Sequence, residues 1–338
     1  MAPCPRVSDG AVDARPFQAK DETGVLELLR VAFGAWPREI EGVTPSEFFR
    51  WKHMDGRFGP SILIVAQAQD AVVGFVAYLP WQLSVRGQVV STMRGVDFAV
   101  HPSFRRRGVS MAMRAAANFP SNTAFTWSNP NDQSRPGGLS WGQREVRKLP
   151  HFVRPGRSPR LTLQRTFAKG AKTPTHLSID ADPAGEILCD GAHASLLRAS
   201  IKDAGYRLST VRDLTYLRWR YGQLSEYRAI RSAPGGASGM VIFRTRRHGR
   251  FWVSHICELF AAHEDHRTVR HLTDRVRDAA STDFLSCSFP SRRSAALCGF
   301  VPYRSGKVVM VYPLQPNFAP DPTQRASWAL SLGDLDLL

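Results

Sequence analysis

Apolar positions recur with two different periods along the first part of the chain, and each change of period marks an element. Arg15 to Ala19 alternates as a short strand, and Asp21 then opens a helix in which Val25, Leu28, Leu29, Ala32 and Phe33 share one face. Period two returns afterwards. Ser61 to Ala68 and Val72 to Val85 predict strands joined as a hairpin at Gln69, Asp70 and Ala71, and Arg86-Gly87-Gln88 turns the chain into a third strand ending Val96-Asp97-Phe98-Ala99-Val100. His101-Pro102 closes that strand, and the alanine-rich run after Gly108 has helical spacing. Thr123 to Ser128 predicts the next strand, followed by a Pro- and Gly-punctuated segment from Asn131 to Gly142. Elements in this order place the chain in the α/β class with a mixed sheet.

Part of the pattern returns. Phe48-Phe49-Arg50-Trp51-Lys52-His53 reappears as Tyr216-Leu217-Arg218-Trp219-Arg220-Tyr221, with an offset of 168 from Trp51 to Trp219. Val72 to Val76 has a counterpart in Ala237 to Val241 at offset 165, and Phe125 to Gly142 has one in Leu285 through Phe300. Three matches in one order predict a duplication, and 338 residues suit two domains. The expected divisions are a first domain at 1–155, a basic linker at 156–180, and a second domain at 181–338 whose tail after Tyr312 opens with four prolines and docks on that half. Trp51 and Trp219 are expected to be equivalent core anchors.

The first chemistry appears at Arg105-Arg106-Arg107-Gly108-Val109-Ser110. The start of a helix has backbone N–H groups without intrahelical partners and a positive dipole end, and Gly108 presents no Cβ to an approaching phosphate. Strand, basic turn and helix therefore predict an anion site. Here the sequence resembles the GNAT superfamily of acyl-CoA-dependent N-acyltransferases, whose pyrophosphate loop reads Arg or Gln, two variable residues, Gly, one variable residue, then Gly or Ala. Arg105, Gly108 and Ser110 hold those positions, Ser110 departing from the small apolar residue. The order of elements over roughly residues 14 to 155 is likewise that of the superfamily.

The resemblance implies two tandem GNAT-like domains, with acetyl-CoA or another acyl-CoA as cosubstrate held by Phe98, Ala99, Val100, Arg105, Arg106, Arg107, Gly108, Val109, Ser110 and Asn131. It also implies a base on the strand before the loop, where Asp97 is the one carboxylate. By alternation Asp97 faces away from Val96, Phe98 and Val100, as a proton acceptor, an anchor for the amine or a structural hydrogen-bonding group. The tyrosine that usually protonates the leaving thiolate has no counterpart between Tyr78 and Tyr206, which leaves Ser134 or water. Trp127 and Trp141 are expected as walls of the acyl region.

The second copy lacks the loop. It reads His263-Glu264-Asp265-His266-Arg267-Thr268-Val269, with no glycine between Gly249 and Gly299, so carboxylates stand where a pyrophosphate would bind, and the copy is read as degenerate. The same His and acid run offers no third ligand group, and no metal is expected.

Charge widens the choice of partners. The formal net charge is +16, with nine Lys or Arg against Glu145 between Arg144 and Lys172, and a further cluster of Arg244, Arg246, Arg247 and Arg250 on a predicted hairpin at Gly249. Such a chain attracts polyanions, an acidic small substrate, CoA or tRNA. The leading expectation is acyl transfer from acyl-CoA to an amine of a small molecule. An aminoacyl-tRNA-dependent transferase of Fem-like architecture and a non-catalytic basic module associated with nucleic acid are the alternatives. No run approaches the ~20 apolar residues of a spanning helix, the first twenty residues lack a signal-peptide core, and five widely spaced cysteines suit free thiols, so a cytoplasmic protein without a membrane partner is expected.

Overall fold

The computed structural model describes residues 12–37, 40, 42–146, 148–157, 177–190, 205–232, 239–261, 265–289, 291–303 and 307–335. Most of the expected linker, Ala237 and Ser238, His263 and Glu264, and Cys4 lie outside the described residues.

The first sheet follows the predicted order closely. It is built from β1 (Asp13–Pro16), β2 (Ile62–Ala68), β3 (Ala71–Val85), β4 (Gln88–Val100), β5 (Phe125–Ser128) and β6 (Arg144–Val146). Helices α1 (Glu22–Phe33), α2 (Pro45–His53), α3 (Val109–Ala115) and α4 (Arg135–Ser140) pack around it. Positive φ at Arg86 and Gly87 gives the β3–β4 connection the twist that a two-residue hairpin turn requires. Helix α2 opens with a capping box, in which Thr44 accepts from the Glu47 N–H, Glu47 accepts from the Thr44 N–H, and Pro45 stands at the first position. Asp21 stands at the start of α1 but does not cap it. Its carboxylate turns back to accept from Arg15 at 2.7 and 2.8 Å and from the Gln18 N–H at 2.8 Å. Phe33 is 43% exposed, because the buried stripe of α1 ends with Leu29.

The second sheet repeats the first strand for strand. It is formed by β7 (Phe152–Pro155), β8 (Asp182–Pro183), β10 (Tyr227–Arg231), β11 (Gly239–His248), β12 (Phe251–Ala261), β13 (Phe284–Cys287) and β14 (Val301–Pro302). Its helices are α5 (Ala184–Cys189), α6 (Leu214–Leu217) with a wider-wound turn Arg218–Gly222, α7 (His266–Ala279) and α8 (Arg292–Leu297). The last strand and helix are β15 (Val309–Pro313) and α9 (Leu332–Leu335), and β9 (Ser209–Thr210) adds to the edge of β3.

In order, the sheets run β1-β2-β3-β4-β5-β15-β6 and β8-β10-β11-β12-β13-β7-β14, with a single parallel pair in each, β4 with β5 and β12 with β13. Each half lends a strand to the other. β7 leaves the first segment to lie between β13 and β14, while β15 returns to lie between β5 and β6. The strands thus cross the expected division near residue 155 in both directions.

Trp51 and Trp219 face one another across the two halves. Their rings stack at 5.4 Å, and each indole N–H donates to the other residue's carbonyl, at 2.8 and 3.1 Å. One apolar core runs through this contact from α1 to the second half. Removing either ring would cost about 3–5 kcal/mol through the cavity and the orphaned carbonyl. The tail docks on both halves. Trp328 packs against Phe125 and Trp127 of the first sheet, while Asp334 in α9 pairs with Arg212 beside β12.

Candidate active site

Strand β4 departs from regular pairing at one place. Ala77 opposes Val96 and Phe75 opposes Ala99, so β4 carries an extra residue, and Asp97 there takes φ +49. The bulge changes the expected alternation. Phe98 and Val100 join the apolar cluster under α3, whereas Val96 lies on the opposite side, the side of α1 and α2, together with Asp97. Pairing of β4 with β5 ends at Gly95 opposite Ser128, while β4 continues to Val100. From the bulge onward the edge of β4 that faces β5 is therefore open.

Asp97 sits at the head of this opening, 10% exposed and bound to three side chains. Lys52 Nζ lies 2.8 Å from Oδ2 and 3.0 Å from Oδ1, His53 Nε2 lies 3.0 Å from Oδ2, and Trp36 Nε1 donates to Oδ1 at 3.1 Å. Burial by itself would raise the pKa of Asp97, but Lys52 and His53 outweigh it and hold the carboxyl well below its usual range. Burial also lowers the pKa of Lys52 and of His53, against the support of Asp97. A neutral His53 then donates from Nε2 to Asp97 and accepts at Nδ1 from the Ser61 hydroxyl, 3.1 Å away, a tautomer assigned from the network.

Beyond the bulge, His101 to Gly108 make the basic turn. Buried Phe104 pins it, Arg105 Nε donates to the Val100 carbonyl at 3.4 Å, and the Arg107 guanidinium lies 5.5 Å from the Phe104 ring. Arg106 and Gly108 both have positive φ, and the space where a Gly108 Cβ would project is open for 4 Å. Gly108 then starts α3, with Val109 buried and Ser110 half-buried on its first turn. A side chain at Gly74 of β3 would collide with Val109, Met113 and Ala66, so this glycine is what lets α3 lie close to the sheet. Arg105 to Ser110 are thereby gathered at one helix start, adjoining Phe98, Ala99 and Val100.

Asn131 and Ser134 serve a local turn. The Asn131 side-chain oxygen Oδ1 accepts from the N–H groups of Gln133 and Ser134 and from the Ser134 hydroxyl, at 3.1, 2.9 and 2.9 Å, and α4 follows. Across the opening, the Phe98 ring meets Trp141 edge to face at 5.4 Å. Trp127 is fully buried, with the Arg94 guanidinium 4.7 Å from its ring. Trp36, Lys52 and His53 were not singled out from the sequence. The signal was the repeated hexapeptide itself, in which Lys52 and His53 directly follow Trp51.

The second bulge lies at the corresponding place. Phe243 opposes Ile256 and Ile242 opposes Glu258, leaving Cys257 as the extra residue of β12. Pairing with β13 stops at His255 opposite Ser286. At the start of α7, Asp265 accepts from the Thr268 N–H at 3.0 Å and from its hydroxyl at 2.5 Å, so a carboxylate of the chain itself occupies this helix start. Among the described residues, no group of three or more His, Cys, Asp and Glu side chains is placed to hold a metal ion. Two arginines of the basic hairpin share one carboxylate. Arg244 is buried, and both it and Arg246 pair with Glu226, at 3.8 and 2.8 Å.

Residues 13–118 match the family model of the acetyltransferase (GNAT) domain. The match spans about a third of the chain and lies wholly within the first half. Similar solved structures span both halves. One is a conserved protein of unknown function from Enterococcus faecalis, described as a probable N-acyltransferase, at 14% identity over 90% of this chain and 73% of that one, with a TM-score of 0.60. A GCN5-related N-acetyltransferase from Anabaena variabilis shares 11% identity over 90% and 73%, with a TM-score of 0.60. Another from Kribbella flavida shares 17% over 90% and 71%, with a TM-score of 0.59. At these identities the likeness is one of fold. No curated protein sequence matches the chain. The GNAT match covers the half with the basic turn and the open β4 edge, which supports N-acyltransferase activity in general terms.

Proposed function

We propose that the first half transfers an acetyl or other acyl group from acyl-CoA to an amine of a small molecule, and that the second half is a degenerate copy. The observation that carries this reading is the β4 bulge at Asp97 and the open strand edge beyond it, running into the Arg105–Gly108 turn. Acyl-CoA would supply the thioester. Gly108 fits its pyrophosphate, because the helix start is unobstructed there and Arg105, Arg106 and Arg107 add charge. The unpaired edge of β4 would hold its extended arm by main-chain hydrogen bonds, beside Phe98 and Trp141.

Asp97 acts on the other side of the strand. A carboxylate that already accepts from Lys52, His53 and Trp36, with its pKa lowered, is a poor proton acceptor and a good fixed charge. It therefore orders the incoming amine, and water carries the proton away. The Ser134 proton is engaged with Asn131, so water also protonates the departing thiolate. The strand-for-strand match of the sheets and the Trp51–Trp219 pair support duplication, and Asp265 at the start of α7 supports loss of the second pyrophosphate site. No helix among the described residues is long and apolar enough to cross a membrane, and a CoA-dependent role puts the protein in the cytoplasm on this reading.

Thiol release from acetyl-CoA, measured across a panel of small amines, tests the proposal. Turnover should persist after ribonuclease treatment and without charged tRNA. Product formation that requires charged tRNA would replace this reading with the Fem-like one.

A further inference from the structure

The opening between β12 and β13 has not closed with the loss of the pyrophosphate loop. A cavity of about 630 Å³ lies there, between the part of β12 beyond its pairing with β13, the start of α7 and tail residues 328–332. Its walls are mainly apolar, with Ile256, Leu259, Val269, Phe289 and Leu330 among them. Its two carboxylates are already committed, Glu258 to Arg212 at 2.8 Å and Asp265 to Thr268.

A second cavity of about 300 Å³ adjoins it, and Leu149, Pro150 and Ser291 line both. The Ser288 hydroxyl, within hydrogen-bond distance of the Pro150 and Leu330 carbonyls at 3.2 Å each, holds the two lining segments together at β13. The smaller cavity has a different character. Lys148, Arg292 and Arg325 line it with His151 and Tyr303, and no Asp or Glu does so among the described residues. Lys148, Arg292 and Arg325 make no ion pair with a described residue.

We propose that the second half binds one molecule of an amphiphilic anion, its apolar body in the cleft between β12 and β13 and its carboxylate or phosphate head among Lys148, Arg292 and Arg325. Cations gathered in a concavity repel one another until an anion joins them, and guanidinium groups match the planar fork of a carboxylate or the oxygens of a phosphate. The larger volume lies within the ordinary range of small-molecule sites. A simple anion would use only the smaller cavity, and a neutral apolar molecule would leave the cations without a counterion. The site is separate from the Arg105–Gly108 turn and does not depend on the activity proposed for it.

Calorimetric titration of the full chain with dodecyl phosphate, and separately with dodecanoate, below their micellar ranges, tests the proposal. At least one should bind at one molecule per chain, and the tighter one identifies the head group. The double variant Arg292→Glu/Arg325→Glu changes two exposed side chains and should weaken binding about tenfold or more. Its thermal melting and its affinity for acetyl-CoA should stay as in the parent protein. Ala261→Trp, which fills the apolar groove, should also weaken binding while leaving the affinity for inorganic phosphate unchanged. The proposal fails if neither amphiphile binds, if the charge reversal leaves binding intact, or if dodecanol binds as tightly as both anions.

Discussion

The two bulges occupy the same place in two matching sheets but have opposite surroundings. Lys52, His53 and Asp97 in the first half correspond to Arg220, Tyr221 and Glu258 in the second, the first two pairs at the offset of the tryptophans. His53 touches its carboxylate at 3.0 Å, and Tyr221 donates to Glu258 at 2.8 Å. The tail makes the difference. Asp334 and Ser331 join Glu258 around Arg212, and a side chain on Gly333 would run into the Tyr221 hydroxyl and Glu258. The second carboxylate is thus covered by the chain itself, while Asp97 keeps a tenth of its surface open beside a free strand edge. Two matching sheets each hold an acid at the bulge, and the first acid keeps more of its surface exposed, 10% against 3%.

The largest expected effect lies in the covered copy. Arg212→Ala leaves Glu258 and Asp334 buried together without a cation, and urea unfolding should show a loss of about 3–5 kcal/mol. A change below about 1 kcal/mol would mean that water reaches this cluster. Activity separates the copies next. Asp97→Asn should lower turnover by about two to four powers of ten with little change in acetyl-CoA affinity, whereas Glu258→Gln should leave turnover near that of the parent. Equal losses in the two variants would remove the distinction between an exposed carboxylate and a covered one.

The smallest effect concerns pH. The folded pKa of His53 is lowered, so its contribution to stability is present above the unfolded value near 6.5 and is lost as pH falls from there toward the lowered value. Tyr221 is raised well above its ordinary value near 10, so its contribution is present below about pH 10 and is lost as pH rises beyond it. Unfolding free energies from urea titrations across pH should fall in acid with a slope of up to about 1.4 kcal/mol per pH unit. His53→Gln should flatten that slope, and Tyr221→Phe should flatten only the alkaline one. A His53→Gln profile that overlays the parent's would show that the histidine does not titrate on unfolding.

The strands of the first half and its basic turn were legible because alternation, Arg86-Gly87 and the glycine at 108 are local signals. The repeat was legible as Trp51 and Trp219, but their meeting across the halves was not, since spacing along the chain carries no record of which faces touch. Asp97 was singled out from its position, and its surroundings were missed. Strict alternation put Val96 opposite it, and one extra residue in β4 brought Val96 to its side. Lys52 and His53 stood in the repeated hexapeptide without an assigned role, and a carboxylate 44 residues away from the histidine gives them a reason to be buried. The exchange of β7 and β15 was hidden for a similar reason, because a short apolar strand carries no mark of the sheet that accepts it.

The central claim is that the Arg105–Gly108 turn of the first half holds the pyrophosphate of an acyl-CoA. Calorimetric titration of acetyl-CoA into the full chain and into Gly108→Glu tests it most directly, because the new side chain enters open space at the helix start and brings a negative charge. One site per chain, lost in the variant while its thermal melting stays within a few degrees of the parent's, is the predicted result. Acetyl-CoA binding that is equally tight in both proteins would contradict it.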